Sequence, residues 1–463
     1  VDIFNDGIDI PKINQIIMLR PTQSAIVFVQ QLGRGLRKIE NKDYLTVIDF
    51  IGNYSNNYLI PIALFGDKTY EKDILRKILF SEDVFIPGAS TINFDQISKK
   101  KIFESISKAN MNLKKDLIND YKNLKFKLGK IPMILDFFQH GDRNPESYIS
   151  YSKSYFNFIN SIEENFRDKL NSIQIKLLEL FSNEIANSKR IEEVLLLKEL
   201  INKKYILISD FIEIIFKKYN YNIDMKTISS LVNNLNFAYV TEKSNGNLIP
   251  VKEKYNFNFF IIEKNQIILT EEFDNLLQNE TFYIFLKDNL DYSEIKFNQI
   301  LKKSKIINGF ILYNKYSRKD VFRILNLDKK PLEQNVGGYL ICEEQKSCPI
   351  FITYHKSNNI SDTIKYEDGF INKNEIIYMS KSKRKLSSKD VISIASNNYR
   401  LPLFIKKDDD EGMDFYYLGD IIPQKEFFEE TNMSDEKKTS IVKMRFKLKE
   451  EIDDSIYNYI IEN

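Results

Sequence analysis

Between residues 15 and 50 the hydrophobic pattern changes period twice, and this alternation constrains the N-terminal part of the chain more tightly than any other feature. Gln15-Ile16-Ile17-Met18-Leu19 is a short apolar run of the kind buried in a parallel sheet. Tyr44-Leu45-Thr46-Val47-Ile48-Asp49-Phe50 is a second. The stretch between them, Ser24 to Arg37, reads as a helix with Ile26, Val27, Phe28 and Val29 as its apolar core and Thr22 or Ser24 as its cap. Strand, helix, strand is the doubly wound arrangement, in which ligands bind at the carboxyl ends of the strands.

Two short runs lie on this segment: Phe4-Asn5-Asp6-Gly7-Ile8-Asp9-Ile10-Pro11, and Gln30-Gln31-Leu32-Gly33-Arg34-Gly35-Leu36-Arg37. Arg34 and Arg37 are three apart, so on a helix they project from one face. Guanidinium is planar, permanently charged and able to hold phosphate oxygens in pairs. Gly33 and Gly35 weaken the helix but let backbone approach a phosphate or a neighbouring lobe. In isolation such residues would be a solvated basic face; the order and spacing of both runs on strand–helix–strand elements favour a site. The runs resemble motifs V and VI of superfamily-2 helicases and translocases, which belong to the second of two RecA-like lobes clamping ATP. The resemblance implies Arg34 and Arg37 as arginine fingers and Gly7, Asp9, Gln30 and Gly33 as cofactor contacts. ATP with Mg²⁺ would be bound mainly by a first lobe that is absent. An arginine in that role contributes orders of magnitude to phosphoryl transfer.

With 463 residues the chain has room for two to four domains. Its 67 basic and 65 acidic residues nearly cancel, so any nucleic-acid surface must come from local clustering. The cysteines are Cys342 and Cys348 and the histidines His140 and His355, which allow at most one disulfide and no cluster of about four zinc ligands. A cytoplasmic protein without a metal site is expected. No apolar run reaches the roughly 18 residues that span a bilayer, and no signal peptide opens the chain. A start at Val1, inside a recognisable motif, suggests a fragment or truncated product.

Three domains are expected. Residues 1–105 would hold the partial RecA-like lobe, with an apolar run at Tyr58 to Phe65, a helix at Tyr70 to Phe80 and a short strand at Thr91 to Asp95. Residues 106–300 read as a mostly helical coupler, with one helix through Phe103, Ile106, Met111, Leu113 and Leu117, others at Ile173 to Phe181 and Ile191 to Ile201, and a further one at Glu271 to Leu286. Asn256 to Ile262 and Gln266 to Leu269 form a hairpin. The aromatic series Tyr148, Tyr151, Tyr155, Phe156 and Phe158 offers a base-stacking platform, but helical spacing favours core. Residues 301–463 carry a short helix capped by Ser317 and strands at Gly338 to Cys342, Ile350 to His355, Glu375 to Met379, Leu401 to Lys406, Phe415 to Leu418 and Ile441 to Leu448. Turns between them point to a small β-barrel or curved sheet. Asp408 to Gly412 lacks the alternating ligands of a calcium loop and reads as a hairpin tip. The fold class is multidomain: α/β, then α, then β.

Tyr313 to Leu325, Phe351 to Lys356, Ile364 to Phe370 with Met379 to Ser382, and Asp414 to Gly419 together resemble the C-terminal region of bacterial superfamily-2 proteins of the SauUSI-type, type IV restriction family. That family joins a phospholipase-D-like nuclease, a helicase and an SRA-like end domain, and cuts DNA containing 5-methyl- or 5-hydroxymethylcytosine. The resemblance implies cytosine-modified double-stranded DNA as partner, and a first lobe and nuclease supplied in cis or in trans. A flipped base needs aromatic faces and polar groups for its edge, for which Tyr354, His355, Tyr366, Asp368, Tyr378 and Ser380 have the right chemistry. Lys381, Lys383, Arg384, Lys385 and Lys389 form the densest basic run nearby and suit phosphates. The plainer reading is a tyrosine-rich core with a solvated lysine loop.

The chain departs from the full family twice. It has no G-x-x-x-x-G-K-S/T phosphate loop, and His355-Lys356 with Asp362 misses the H-x-K-x-x-x-x-D register of the nuclease. Alone it is expected neither to hydrolyse ATP nor to cut DNA. Two alternatives stand beside this reading: a repair or remodelling helicase whose end domain binds DNA or protein regardless of methylation, and a binding protein with a vestigial lobe.

Overall fold

The computed structural model describes residues 12–19, 25–37, 39–40, 42–52, 54–67, 69–80, 91–141, 143–331, 336–356, 368–433 and 438–462. They fall into two compact units, Val1–Ile131 with Phe137–Ser147, and Pro132–Asp136 with Tyr148–Asn463.

The first unit opens with β1 (Gln15–Met18), α1 (Ala25–Gly35) and β2 (Thr46–Asp49), and the two strands pair in parallel from Gln15↔Thr46 to Met18↔Asp49. The strand–helix–strand order therefore holds, each element a little shorter than expected, but the strands are not the buried ones expected: in β1 only Met18 is buried, and Thr46, Val47 and Ile48 of β2 are exposed. The apolar run after β2 forms α2 (Leu59–Phe65), closed by Gly66 at φ 67°, where a side chain would be strained. With α3 (Lys72–Phe80) and α4 (Gln96–Lys108) it encloses a core of Ile62, Leu75, Leu79, Ile102, Ile106 and Met111, and α5 (Lys114–Leu128) follows. Two expectations fail here. Thr91 to Asp95 is no strand; Asp95 instead caps α4, accepting from the Ser98 amide at 3.0 Å. The single helix drawn through Phe103 and Leu117 is two helices, α4 and α5, with Met111 buried in the turn between them.

Two short helices follow, α6 (Ile134–His140) and α7 (Glu146–Ser152). His140 is the last residue of α6. The second unit then builds a helical layer from α8 (Tyr155–Ile162), α9 (Ser172–Leu180), α10 (Ile191–Lys203), α11 (Ile208–Tyr219), α12 (Met225–Leu235), α13 (Val251–Tyr255), α14 (Glu271–Leu277) and α15 (Glu280–Leu301). Helix α10 is its centre: Ile191, Val194, Leu195, Leu196, Leu197, Leu200 and Ile201 are all buried, together with Glu192 and Glu193. A helix buried all round is a core helix rather than a surface one. Helix α9 runs into a π turn at Phe181–Ile185. The helix expected over Glu271 to Leu286 breaks because Asn279 caps a new one, its side chain accepting from the Phe282 amide at 3.1 Å. A three-stranded sheet ordered β3 (Tyr205–Leu207), β7 (Gln266–Leu269), β6 (Phe260–Glu263) and a hairpin of β4 (Thr241–Ser244) and β5 (Asn247–Pro250) complete this part. The β6–β7 turn has Lys264 at φ 45° and Asn265 at φ 66°, the twin positive angles of a hairpin turn that matches strand twist. Tyr148, Tyr155, Phe156 and Phe158 are buried, and Tyr148 meets Tyr155 and Phe158 edge to face, the latter with ring centroids 4.7 Å apart, so they are core; Tyr151 is exposed.

The end of the chain forms β8 (Ile306–Ile307), β9 (Phe310–Ile311), β10 (Lys315–Ser317), α16 (Arg318–Ile324), β11 (Ile350–Thr353), β12 (Gly369–Asn372), β13 (Glu375–Met379), α17 (Lys389–Ala395), β14 (Pro402–Lys406), β15 (Asp414–Pro423), β16 (Glu429–Asn432), β17 (Ser440–Leu448) and α18 (Asp454–Ile461). Ser317 caps α16 in a reciprocal box with Asp320, as its position suggested. The main sheet runs β11-β14-β15-β17-β13-β12, with β10 on β15 and β16 on β17. Among the described residues this is an open, curled sheet, the curved-sheet arm of the small β-barrel or curved sheet expected from the turn spacing. Gly338 to Cys342 contributes isolated bridges at Tyr339 and Cys342 rather than a strand. The core is aromatic: Phe310, Tyr316, Phe322, Phe351, Phe404 and Tyr417. No helix among the described residues is long and apolar enough to cross a membrane.

Candidate nucleic-acid interface

The first unit carries the motif-like residues. Gly7 and Asp9 lie outside the described residues. Gln30 and Gly33 are exposed on α1, and a Cβ built on Gly33 would meet no atom within 4 Å, so its backbone is open to approach. Gly35 answers a different demand. A Cβ there would meet Ile16 Cδ1 and Leu45 Cδ2 at 2.7 Å, so this glycine lets α1 pack close to the strands. Arg34 lies in the last turn of α1. Arg37 is exposed and sits beyond the helix end, so the helical-face argument does not reach it. Lys42 Nζ donates to the carbonyls of Gly35 and Arg37, the latter at 3.2 Å, tying down the last turn.

In the end domain the candidates divide into three places. Tyr354 and His355 continue β11, their amides donating to Lys406 and Lys407 carbonyls at 2.9 and 2.7 Å. Tyr354 is half-buried and stacks on Phe370 with ring centroids 5.5 Å apart. His355 Nε2 donates to the Ile460 carbonyl at 2.9 Å, fastening α18. Asp368 is bonded to Lys356 Nζ at 2.7 Å and to the Met379 amide at 2.8 Å. Burial pushes its carboxyl above the usual carboxylate range, against the pull of Lys356. Tyr366 lies outside the described residues.

Tyr378 and Ser380, on and just after β13, are buried. Ser380 Oγ accepts from the Val442 amide at 2.8 Å, and a Cβ on Gly338 would collide with Tyr378 Oη at 2.0 Å. Both side chains belong to the core of the sheet as it stands.

The basic run makes the third place. Lys383 and Lys385 are exposed, while Lys381, Arg384 and Lys389 line one open cavity of about 540 Å³ together with Tyr339, Glu343 and Asp390. Asp390, in the first turn of α17, accepts from Arg384 Nε and from Tyr339 Oη, both at 2.7 Å. Burial pushes the Asp390 carboxyl up, but the hydrogen bonds from Arg384 and Tyr339 outweigh it and hold the group below the ordinary carboxylate range. Lys381 Nζ stands 4.7 Å above the Tyr339 ring. Burial, with the neighbouring Arg384 charge, lowers its pKa despite the opposing pull of Asp390. Lys389 Nζ lies 3.7 Å from Glu343. Tyr339 and Asp390 carried no signal of their own, because their partnership spans 51 residues of sequence.

Residues 310–460 match the family described as "Domain of unknown function (DUF3427)", and residues 117–302 match "Domain of unknown function (DUF8090)". The chain is also 42% identical over 64 residues to the Saccharomyces cerevisiae protein named "Putative ATP-dependent helicase IRC3". Over that stretch the chain is similar to a protein named as a helicase. The shared stretch is 14% of this chain and 9% of the yeast protein, so the chain spans less than a tenth of that relative's length. Among solved structures, "KRYPTONITE in complex with mCHG DNA and SAH" aligns with a TM-score of 0.22 and 13% identity, covering 35% of this chain and 39% of that one. "KRYPTONITE in complex with mCHH DNA, H3(1-15) peptide and SAH" gives a TM-score of 0.22 and 16% identity, covering 34% and 37%.

Proposed function

We propose that this chain is the C-terminal portion of an ATP-driven DNA translocase of the modification-dependent restriction type, its first unit serving a nucleotide motor and its end domain reading 5-methyl- or 5-hydroxymethylcytosine in duplex DNA. The observation that carries the motor half is the parallel β1–α1–β2 segment, whose helix runs into Gly33-Arg34-Gly35-Leu36-Arg37, with Arg37 exposed beyond the end of α1. The exposed Gln30 and the open backbone at Gly33 fit contact with a nucleotide phosphate, and Arg34 and Arg37 would supply guanidinium charge to it. Without a phosphate loop these residues fit the edge of an ATP–Mg²⁺ site, the bulk of which a first lobe would provide. ATP supplies the phosphoryl-transfer chemistry; this chain's contribution is positioning and charge.

The test has two arms. Mixed with a first-lobe polypeptide, the chain should restore ATP hydrolysis that Arg37→Ala abolishes; hydrolysis indifferent to that substitution refutes the motor half. Duplexes carrying 5-methylcytosine should bind more tightly than unmodified ones at matched salt, and equal affinity refutes the base-reading half.

One observation favours the second reading, an end domain that binds DNA regardless of methylation. Tyr378 and Ser380 are consumed by the core, whereas Lys381, Arg384 and Lys389 gather on one cavity. Cations without a base pocket would give sequence-independent affinity.

A further inference from the structure

We propose that the cavity between Tyr339, Lys381, Arg384 and Lys389 is a subsite for one backbone phosphate of DNA, in which Lys381 and Arg384 hold the phosphate oxygens and Asp390 positions Arg384. The proposal rests on the DNA-binding reading above and adds which group of the DNA enters, and where.

The described lining of the cavity offers no open ring face to a base. Its aromatic residue, Tyr339, is 1% exposed, and Lys381 Nζ lies 4.7 Å over its ring. Beside the aliphatic Leu340 and Ile341, the cavity therefore presents charged and hydroxyl groups rather than a ring face on which a base could stack. Three cations reach it, Lys381, Arg384 and Lys389, against two carboxylates, Glu343 and Asp390. The exposed Lys383 and Lys385 flank Arg384 in sequence and add to the positive charge of the run.

The carboxylates are already engaged. Asp390 receives Arg384 Nε and Tyr339 Oη at 2.7 Å each, and Glu343 is bonded by Tyr399 Oη and lies 3.7 Å from Lys389 Nζ. A guanidinium carries five N–H donors in a fixed fork, so Arg384 can keep Asp390 on its Nε edge and still offer donors to an oxyanion. Held this way, the fork loses less side-chain freedom on binding than a solvated arginine would. Asp390 is thus a positioning residue. Lys381 is the complementary case: burial penalises its charge, and a phosphate oxyanion beside it would relieve that penalty. A phosphodiester suits the cavity because recognition needs only charge and donors, and because the site is open to one side.

The test uses the whole chain and a short fluorescein-labelled duplex, methylated or unmodified, titrated by anisotropy over a series of KCl concentrations. Inorganic phosphate is tested separately by thermal shift at matched ionic strength. Lys381→Ala should weaken both duplexes by the same factor, roughly fivefold to tenfold near 0.1 M salt, and lower the log–log salt slope by about one. Lys381→Arg should restore most of the loss. Lys389→Ala, at a side chain that is 90% exposed and so unable to unfold the domain, should weaken binding in the same uniform way. If the wild type binds duplex and neither alanine variant changes affinity or slope, the cavity proposal falls while the DNA reading stands. A change confined to the methylated duplex would also overturn it, since that marks a base contact. If the wild type binds no duplex, the DNA reading itself fails; stabilisation by inorganic phosphate alone would make this a free-phosphate site and refute the proposal.

Discussion

Arg323 Nη1 and Glu193 Oε2 lie 3.8 Å apart, with 2% and 0% of their side chains exposed. The pair joins α16 to α10, and around it Arg190 donates to the Arg323 carbonyl at 2.9 Å, Asn234 donates to Glu193 at 2.8 Å, and Arg323 donates to the Glu184 carbonyl in the π turn. A buried pair at this distance is not itself a strong bond, but removing Arg323 leaves the buried Glu193 carboxylate under-compensated, with Arg190 3.6 Å away. Arg323→Met should destabilise the second unit by about 3 kcal/mol in urea unfolding. Adding Glu193→Gln should recover part of that loss, because the under-compensated carboxylate disappears with it. A single-variant cost below about 1 kcal/mol, the range of exposed pairs, would contradict this account.

Asp288, on α15, accepts the Ile134 and Leu135 amides at 2.7 and 3.3 Å and so caps α6 from another element. Burial nevertheless pushes its carboxyl up to about 6. The folded value lies above the unfolded one near 3.8, so the folded chain binds the extra proton. This group's contribution therefore favours the fold at low pH and is lost as pH rises from about 4 to about 6, by up to about 3 kcal/mol. Asp288→Asn keeps an oxygen for the amides and has no proton to lose. The difference in urea midpoint between wild type and Asp288→Asn should change with pH across that window in the variant's favour; parallel profiles would refute it.

These two relationships also mark what sequence could reveal. The limits of β13 and the Ser317 cap were legible because each is signalled within a few residues, by alternation or by the capping box. The α4–α5 break was not, because Met111 stays buried in the turn and keeps the apolar rhythm running through it. The Asn279 cap is masked by the run of good helix formers around it. In the candidate interface the basic residues were visible as a cluster, but their sorting into cavity-lining and solvated lysines depends on Tyr339 and Asp390, which only tertiary structure unites.

Gly33 and Gly35 look alike in sequence and should behave oppositely. Gly35→Ala forces a methyl against Ile16 and Leu45 and should cost about 1 to 3 kcal/mol, limited by how far those side-chain ends give way. Gly33→Ala enters open space in a helix and should stabilise the first unit by up to about 1 kcal/mol. Thermal unfolding of the two variants tests the contrast. A Gly33→Ala chain that is more stable yet fails to restore hydrolysis with a first-lobe polypeptide would locate close ligand approach at this backbone; equal destabilisation by both would refute the packing argument.

Tyr354 separates base reading from phosphate holding. Among the described tyrosines selected for a base pocket it alone is half-exposed, and its ring is backed by Phe370 at 5.5 Å, which fixes its orientation before any ligand arrives. Stacking of a base on an aromatic ring is worth about 1 to 3 kcal/mol by alanine substitution. Tyr354→Ala should therefore reduce the preference for a 5-methylcytosine duplex over an unmodified one while leaving the salt slope unchanged, because no phosphate contact is lost. Lys381→Ala should do the reverse, lowering both affinities and preserving their ratio. The ratio of the two affinities, measured for both variants at one salt concentration, decides between them. If Tyr354→Ala leaves the ratio untouched, the β11 edge of the sheet has no part in reading the base.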